Sequence, residues 1–382
     1  MTHTVISVAI AAGAAACAPA QPMTDASAEL LPRAVTNGKT MDVEAADLNG
    51  DGRMDLVLAV EFGQNAVMLY GDGRYAYARD ALPQGALRDS EDIAIADLDG
   101  DGDLDLVFAS EDDMVNEFYL NDGHGVFEDA GDRLPVTGTS NAVVAFDADA
   151  DGDHDLAFGN AGQNFLLIND GTGGFVWNEQ ALPTISDITQ DMEVGDVDGD
   201  GDPDLVVANE GPNALLLNNG DGTFLDATER SFGVRNEEET READLGDIDG
   251  DGDLDLYFAN VGWSGSQPAD KLLINRGDGT FEDVSSVQLP SINEFSLDAD
   301  FADLDADGDL DLVTARIAPG LGRPVTVLLN DGSGTFSDTS LDAVPPSVQG
   351  HAIDVEILDL NADGTLDIYI GCHLPADAIL LG

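Results

Sequence analysis

Asp97-Leu98-Asp99-Gly100-Asp101-Gly102-Asp103-Leu104-Asp105-Leu106 is the stretch from which the rest of this chain can be read. Oxygen side chains stand at positions 1, 3, 5 and 9, and a glycine stands at position 6. Alternate carboxylates around a tight turn wrap a hard cation, and Ca²⁺ takes about 6–8 oxygens at about 2.3–2.6 Å. The glycine is required because the loop reverses within a few residues, where a side chain would clash. The same pattern starts again at Asp47, Asp147, Asp196, Asp247, Asp303 and Asp359, at intervals near 50 residues. A fixed period of that size is the mark of a repeat architecture.

The predicted ligands are therefore Asp47, Asn49, Asp51 and Asp55 in the first loop, and Asp97, Asp99, Asp101 and Asp105 in the second. The third and fourth supply Asp147, Asp149, Asp151 and Asp155, then Asp196, Asp198, Asp200 and Asp204. The fifth and sixth supply Asp247, Asp249, Asp251 and Asp255, then Asp303, Asp305, Asp307 and Asp311. The last supplies Asp359, Asn361, Asp363 and Asp367.

Each loop runs into a short apolar stretch, such as Leu56-Val57-Leu58 or Leu256-Tyr257-Phe258. A second apolar stretch follows, such as Leu215-Leu216-Leu217, then an Asn/Asp-Gly turn, as in Asn218-Asn219-Gly220-Asp221-Gly222. Such turns between apolar runs signal β-hairpins. An aromatic residue opens the next strand (Tyr75, Phe127, Phe175, Phe224, Phe281, Phe336), and one more strand precedes each acidic loop. The expectation is an all-β chain with four short strands per repeat and no helix of useful length.

Four strands repeated seven times fit a propeller, a solenoid or a sandwich array. The termini favour a ring. The seventh repeat stops at Leu381-Gly382, after its third strand. Residues 23–32 align with 281–290, so the N-terminal segment supplies the missing fourth strand and closes the ring. Closure leaves only short, protected sheet edges.

The segments 97–106 and Leu-Asn-Asn-Gly-Asp-Gly-Thr-Phe (217–224) together resemble the FG-GAP/VCBS repeat, which also builds the seven-bladed β-propeller of integrin α chains. The resemblance spans roughly residues 22–382. It implies a seven-bladed propeller of four-stranded blades with Ca²⁺ in its loops. It says little about function, since such propellers serve adhesion, glycan binding and attachment to enzymes. Integrin-type propellers carry the loop in only some blades, whereas here every repeat has it.

Acids number 76 against 14 Lys and Arg, a formal charge of −62. The loops account for 31 of the acids, so 45 remain elsewhere. Repulsion on this scale opposes a compact state unless cations bind or salt screens it. It also makes nucleic acid a poor partner. Val5–Ala16 is apolar, small and too short to span a bilayer, as in an export signal over residues 1–20. Cleavage is expected after Ala20 or before Cys17; the second would leave a lipid on Cys17 and anchor residues 21–382 to a membrane. The expected location is secreted, or held at a bacterial-type cell surface. With the signal removed after Ala20, Cys372 is the only cysteine left and no disulfide framework exists; a Cys17–Cys372 bridge requires Cys17 to be kept without a lipid.

The strand before most loops carries acids five and three residues upstream: Asp42 and Glu44, Asp191 and Glu193, Glu242 and Asp244, Asp298 and Asp300, Asp354 and Glu356. The second repeat has only Asp92, and the third has Ala142 and Val144. Two readings follow: the acids bond neighbouring backbone, or they form a further cation site near the axis. His351 and His373 share the last repeat without metal-ligand spacing, and no nucleophile elbow or phosphate loop is present. No catalytic residue is assigned, and an enzyme is not expected. Loops opposite the metal face vary most. The fifth repeat carries an insert over 261–268, preceded by an acidic connection over 235–241, and the sixth carries one over 317–323. Trp263, Arg316 and Arg323 are the candidate ligand-binding residues there. The function expected is a Ca²⁺-binding module for protein or glycan ligands; the alternative is a Ca²⁺-dependent lectin or polysaccharide-active enzyme.

Overall fold

The computed structural model describes residues 22–32, 39–83, 85, 87–111, 114–184, 186–232, 239–263, 269–291, 295–374 and 376–382. The export signal, Cys17, most of the acidic connection and the tip of the fifth insert lie outside them.

The chain is all-β and propeller-like, built from repeated four-stranded antiparallel units. The first unit contains Thr40–Ala46, Asp55–Val60, Ala66–Gly71 and Arg74–Tyr77. The corresponding first strands are Ser90–Ala96, Ser140–Phe146, Asp187–Gly195, Glu239–Gly246, Phe295–Ala302 and Gly350–Leu358. Each acidic loop joins the first strand to the second, and position 9 opens the second strand, as Asp55, Asp105 and Asp155 do. Among the described residues, helix comes as three- to five-residue turns after fourth strands, such as Gly131–Arg133 and Ser285–Gln288.

Period-two alternation explains the packing. Second strands read Leu-Val-Leu or Leu-Tyr-Phe and are buried on both faces. One face meets the preceding unit and the other the following one, so apolar clusters straddle neighbours. Leu56, Leu58 and Met68 pack with Tyr369 and Ile379; Val206 and Leu215 pack with Leu256, Phe258 and Leu273. A strand buried on both faces needs no polar alternation.

The N-terminal segment sits where the alignment puts it. Thr24–Asp25 lies antiparallel beside Ala378–Leu381, with Thr24 opposite Leu381 and Asp25 opposite Leu380. A short helix, Ser27–Leu30, follows, entered by Asp25 Oδ1 accepting from the Ser27 N–H. Asp283 and Ser285 repeat this turn in the fifth unit.

The sixth insert is not a loop. Asp311–Gly322 runs on as one strand, and Ile317 and Gly322 pair with His351 and Gly350 of the next first strand. Ala161 and Gly162 pair with Ile188 and Asp187 in the same way. The extended backbone must place its N–H and C=O groups somewhere, and the start of the next first strand accepts them.

Candidate functional site

The acidic loops share one geometry. Position 1 folds the turn: Asp47 Oδ1 accepts from the Asp51 N–H at 3.0 Å and Oδ2 from the Gly52 N–H at 2.8 Å. Position 6 needs its glycine, with φ of +83° at Gly52 and +100° at Gly308. Position 4 is also left-handed, and three repeats hold an alanine there (Ala150, Ala306, Ala362) at φ near +60°. A non-glycine residue in that region is strained.

Position 9 is a strut. Asp55 is fully buried; its Oδ2 accepts from the Leu48 N–H and its Oδ1 from the Tyr70 N–H of the third strand. Asp105, Asp155, Asp204, Asp255 and Asp311 make the same pair of bonds. Burial pushes these carboxyls up, to about 6 at Asp55 and about 7 at the other five, against the N–H bonds that favour the anion.

Position 3 differs. In three repeats it accepts from the position-5 N–H, as Asn49, Asp99 and Asp249 do, whereas Asp149 Oδ1, Asp198 Oδ1, both oxygens of Asp305 and Asn361 Oδ1 are buried without a hydrogen-bond partner among the described residues. So is Asp247 Oδ1 at position 1. Burial, then the neighbouring aspartates, raise Asp149, Asp198 and Asp305. Carboxylate oxygens converge within 4.8 Å in Asp97-Asp99-Asp101, Asp147-Asp149-Asp155, Asp196-Asp198-Asp204 and Asp247-Asp249-Asp251. Buried, unpartnered, converging oxygens are the donor set a hard cation requires.

Two sets of polar side chains tie one unit to the next. On the loop side, Asn218 Nδ2 donates to Ala148 O of the preceding unit and to Pro203 O of its own, while its Oδ1 accepts from Gly220. Asn121, Asn169, Asn275 and Asn330 do the same. The first unit has Gly71 there, and Tyr75 reaches instead to Leu360 O. On the opposite side, Asn116 Nδ2 donates to Ser140 Oγ and Asn213 Nδ2 to Thr240 Oγ1.

First strands from every repeat line one central cavity of about 140 Å³. Each carries a register shift just before the residue five places ahead of its loop, as between Thr40 and Asp42, Ser140 and Ala142 or Thr240 and Glu242. A bulge re-aims side chains, and here the extra residues include Glu91, Gln190 and Arg241, all lining the cavity. Asp92 Oδ2 accepts from the Val143 N–H, Asp191 Oδ2 from Ala243, Asp298 Oδ2 from Val355 and Asp300 Oδ2 from Ile357. These acids do bond the neighbouring backbone.

Trp263 is 52% exposed, with its ring edge-on to Phe295 and the Arg241 guanidinium 5.1 Å from its centroid. Arg316 and Arg323 lie in the next unit: Arg316 Nε donates to Arg323 O, and Arg323 donates to Val344 O and Leu341 O. His373 Nε2 stands 3.3 Å from Glu61, and Cys372 is buried as a free thiol.

An FG-GAP-like repeat model matches residues 47–108, 97–158, 147–207, 196–258, 247–314 and 317–370. The chain belongs to the FG-GAP-like repeat family. Its FG-GAP repeats run from one acidic loop into the next. No curated protein matches the chain. Among solved structures, BBS1N in complex with ARL6DN, soaked with lead, is similar over 95% of this chain and 97% of its own, at 14% identity and a TM-score of 0.58. The mercury-soaked form of the same complex covers 91% and 93%, at 12% identity and a TM-score of 0.56. Both likenesses are of fold alone. A structure of an Agrocybe aegerita lectin, described as recognising non-reducing terminal N-acetylglucosamine, covers 80% and 81% at 18% identity and a TM-score of 0.48.

Proposed function

We propose that this FG-GAP repeat protein is a seven-bladed β-propeller, closed by its N-terminal strand, that binds Ca²⁺ in its loops and serves as a binding or adhesion module outside the cell. The observation that carries it is the convergence of the position-1 and position-3 carboxylates in four loops, with a buried, unpartnered position-3 oxygen at Asp149 and Asp198 in two of them. Asp, Asn and a tight glycine turn offer oxygens only, which suits Ca²⁺ better than a softer metal. When bound, the ion supplies charge neutralisation where three or four carboxylates meet. The loop residues hold it, and the position-9 aspartate couples that holding to the third strand.

Closure is supported by Thr24–Asp25 on Ala378–Leu381, by Met23 N–H donating to Ala343 O of the sixth unit, and by Tyr75 donating to Leu360 O of the seventh. Phe127 and Phe224 make the Met23-type bond at ordinary junctions. A saline or Ca²⁺-rich exterior suits the charge of −62. Export, with or without a lipid on Cys17, completes this reading. The module binds rather than catalyses, and its partner is a protein or a glycan at the face opposite the loops.

One observation favours the lectin reading. Trp177, 39% exposed and edge-on to Phe165, shares a cavity with Asn160 and Gln163. An aromatic plate beside the Gln163 amide suits a sugar ring, while the Asn160 amide is held by Ser140, Phe158 O and Gln163 O. Glycan and protein arrays probed in millimolar Ca²⁺ and again in chelator test both readings. Ca²⁺-dependent retention of a protein or glycan is expected; binding that ignores Ca²⁺, or cleavage of an arrayed glycan, contradicts the module described.

A further inference from the structure

The acids of the central cavity are not equivalent. Asp92, Asp191, Asp298 and Asp300 each accept from a backbone N–H of the next unit's first strand. Asp42 and Asp354 occupy the same register position as Asp92, Asp191 and Asp298, five residues ahead of a loop, and differ from them. Asp354 is 8% exposed and lines the cavity, and its Oδ2 has no hydrogen-bond partner among the described residues. Asp42 Oδ2 is likewise buried without one. Asp42 and Asp354 are neighbours, because the first strands of the seventh and first repeats lie side by side.

The charges that act on them most strongly share their sign. The groups acting most strongly on Asp354 are Asp298, Asp42, Glu356 and Glu44; those on Asp42 are Asp92, Glu44, Asp298 and Glu356. All are carboxylates. Burial, then this crowding, holds both acids well above the usual carboxylate range. The far side of the cavity is served differently: Arg241 answers Glu91, Glu210, Glu111 and Glu242. A cavity of about 140 Å³ leaves room for an ion and several waters.

We propose that the central cavity is a further divalent-cation site, separate from the loops, with Asp42 and Asp354 as its ligands and Glu44 and Glu356 closing its shell from the same two strands. The cation is hard and oxygen-seeking, of the Ca²⁺ or Mg²⁺ class. It stands where the ends of the chain meet, so it also staples the closing junction.

The test is an ion count on the full chain. Protein stripped with chelator is dialysed against Ca²⁺, and bound metal per chain is measured for wild type, Asp42→Asn/Asp354→Asn and Asp92→Asn. The double variant is expected to hold one ion fewer than wild type, and Asp92→Asn to hold the wild-type number. An unchanged count in the double variant overturns the proposal and assigns the balance of charge to protons. The single change Asp42→Asn, which keeps shape, gives the same readout should the double variant fail to fold. Removing one loop's ligands by Asp99→Asn/Asp101→Asn separates the two readings: loss of an ion there, with none lost from the cavity variants, sinks the central site and leaves the loop sites standing.

Discussion

The hydroxyl of Thr40 donates to Asp377 Oδ2 at 2.9 Å, across 337 residues of sequence. Ser90 with Asn65, Thr189 with Asn164 and Ser296 with Asp270 make the same contact at ordinary junctions. The chain's two ends thus meet through a bond used throughout. Asp377 also accepts from the Tyr369 hydroxyl and the Cys372 N–H. Replacing one partner of a buried bond costs about 1–3 kcal/mol, so Asp377→Ala should lower the thermal midpoint by several degrees. Deleting residues 22–32 removes a whole strand and should cost far more, with aggregation by light scattering. A truncated chain that stays monomeric and melts like wild type would show that the segment is only a tether.

Asn218 and Asn219 are adjacent and identical in type, yet only Asn218 straps two units together. It is buried, with both polar ends bonded, while Asn219 is exposed and bonds locally to Thr223. Asn218→Ala should destabilise by about 2–4 kcal/mol, since it orphans more than one buried group. Asn219→Ala should stay within about 0.5 kcal/mol. Denaturant midpoints give both values, and equal effects would refute the strap.

Much of this was legible beforehand. The acidic loops, the strand pattern, the N-terminal strand and the upstream acids all follow local spacing. What escaped was contact between repeats. Asn121, Asn169, Asn218, Asn275 and Asn330 read as turn formers, and they are, since Oδ1 of each caps its own turn. Their amides face another repeat, which local pattern does not encode. A faint signal exists: Ser or Thr stands seven residues ahead of each loop except at Ala352. That residue marks the bulge and the latch together. The Pro and Gly of the sixth insert read as loop in the sequence, but the edge of the neighbouring first strand draws that segment into a sheet.

Acidity leaves a mark on stability. Burial, then nearby carboxylates, pushes Glu91, Asp92 and Asp298 up to about 8. The folded chain binds these protons more tightly than the unfolded chain, whose carboxyls titrate near about 4. Their contribution is therefore complete below that range and is lost as pH rises through about 8. In chelator, the midpoint should fall between about pH 6 and pH 9. A midpoint that climbs over that window would show that these acids ionise without cost.

Trp263 is half exposed, and its contacts are Phe295 and the Arg241 guanidinium. An exposed cation–π pair contributes about 0.5–1 kcal/mol. Trp263→Ala should thus barely move the melting midpoint while weakening capture of whatever the arrays identify. Normal binding with a much earlier melt would retire Trp263 as a contact residue.

Ca²⁺ dependence of folding is the most direct test of the whole account. Loops with converging, half-buried carboxylates at positions 1 and 3 should gain stability from every ion they hold, about 2.7 kcal/mol for each site at a hundredfold excess over its Kd. Several such sites together should raise the thermal midpoint in millimolar Ca²⁺ by at least about 10 °C over chelator. Superimposable melts in Ca²⁺ and in chelator would contradict the assignment of these loops as calcium sites.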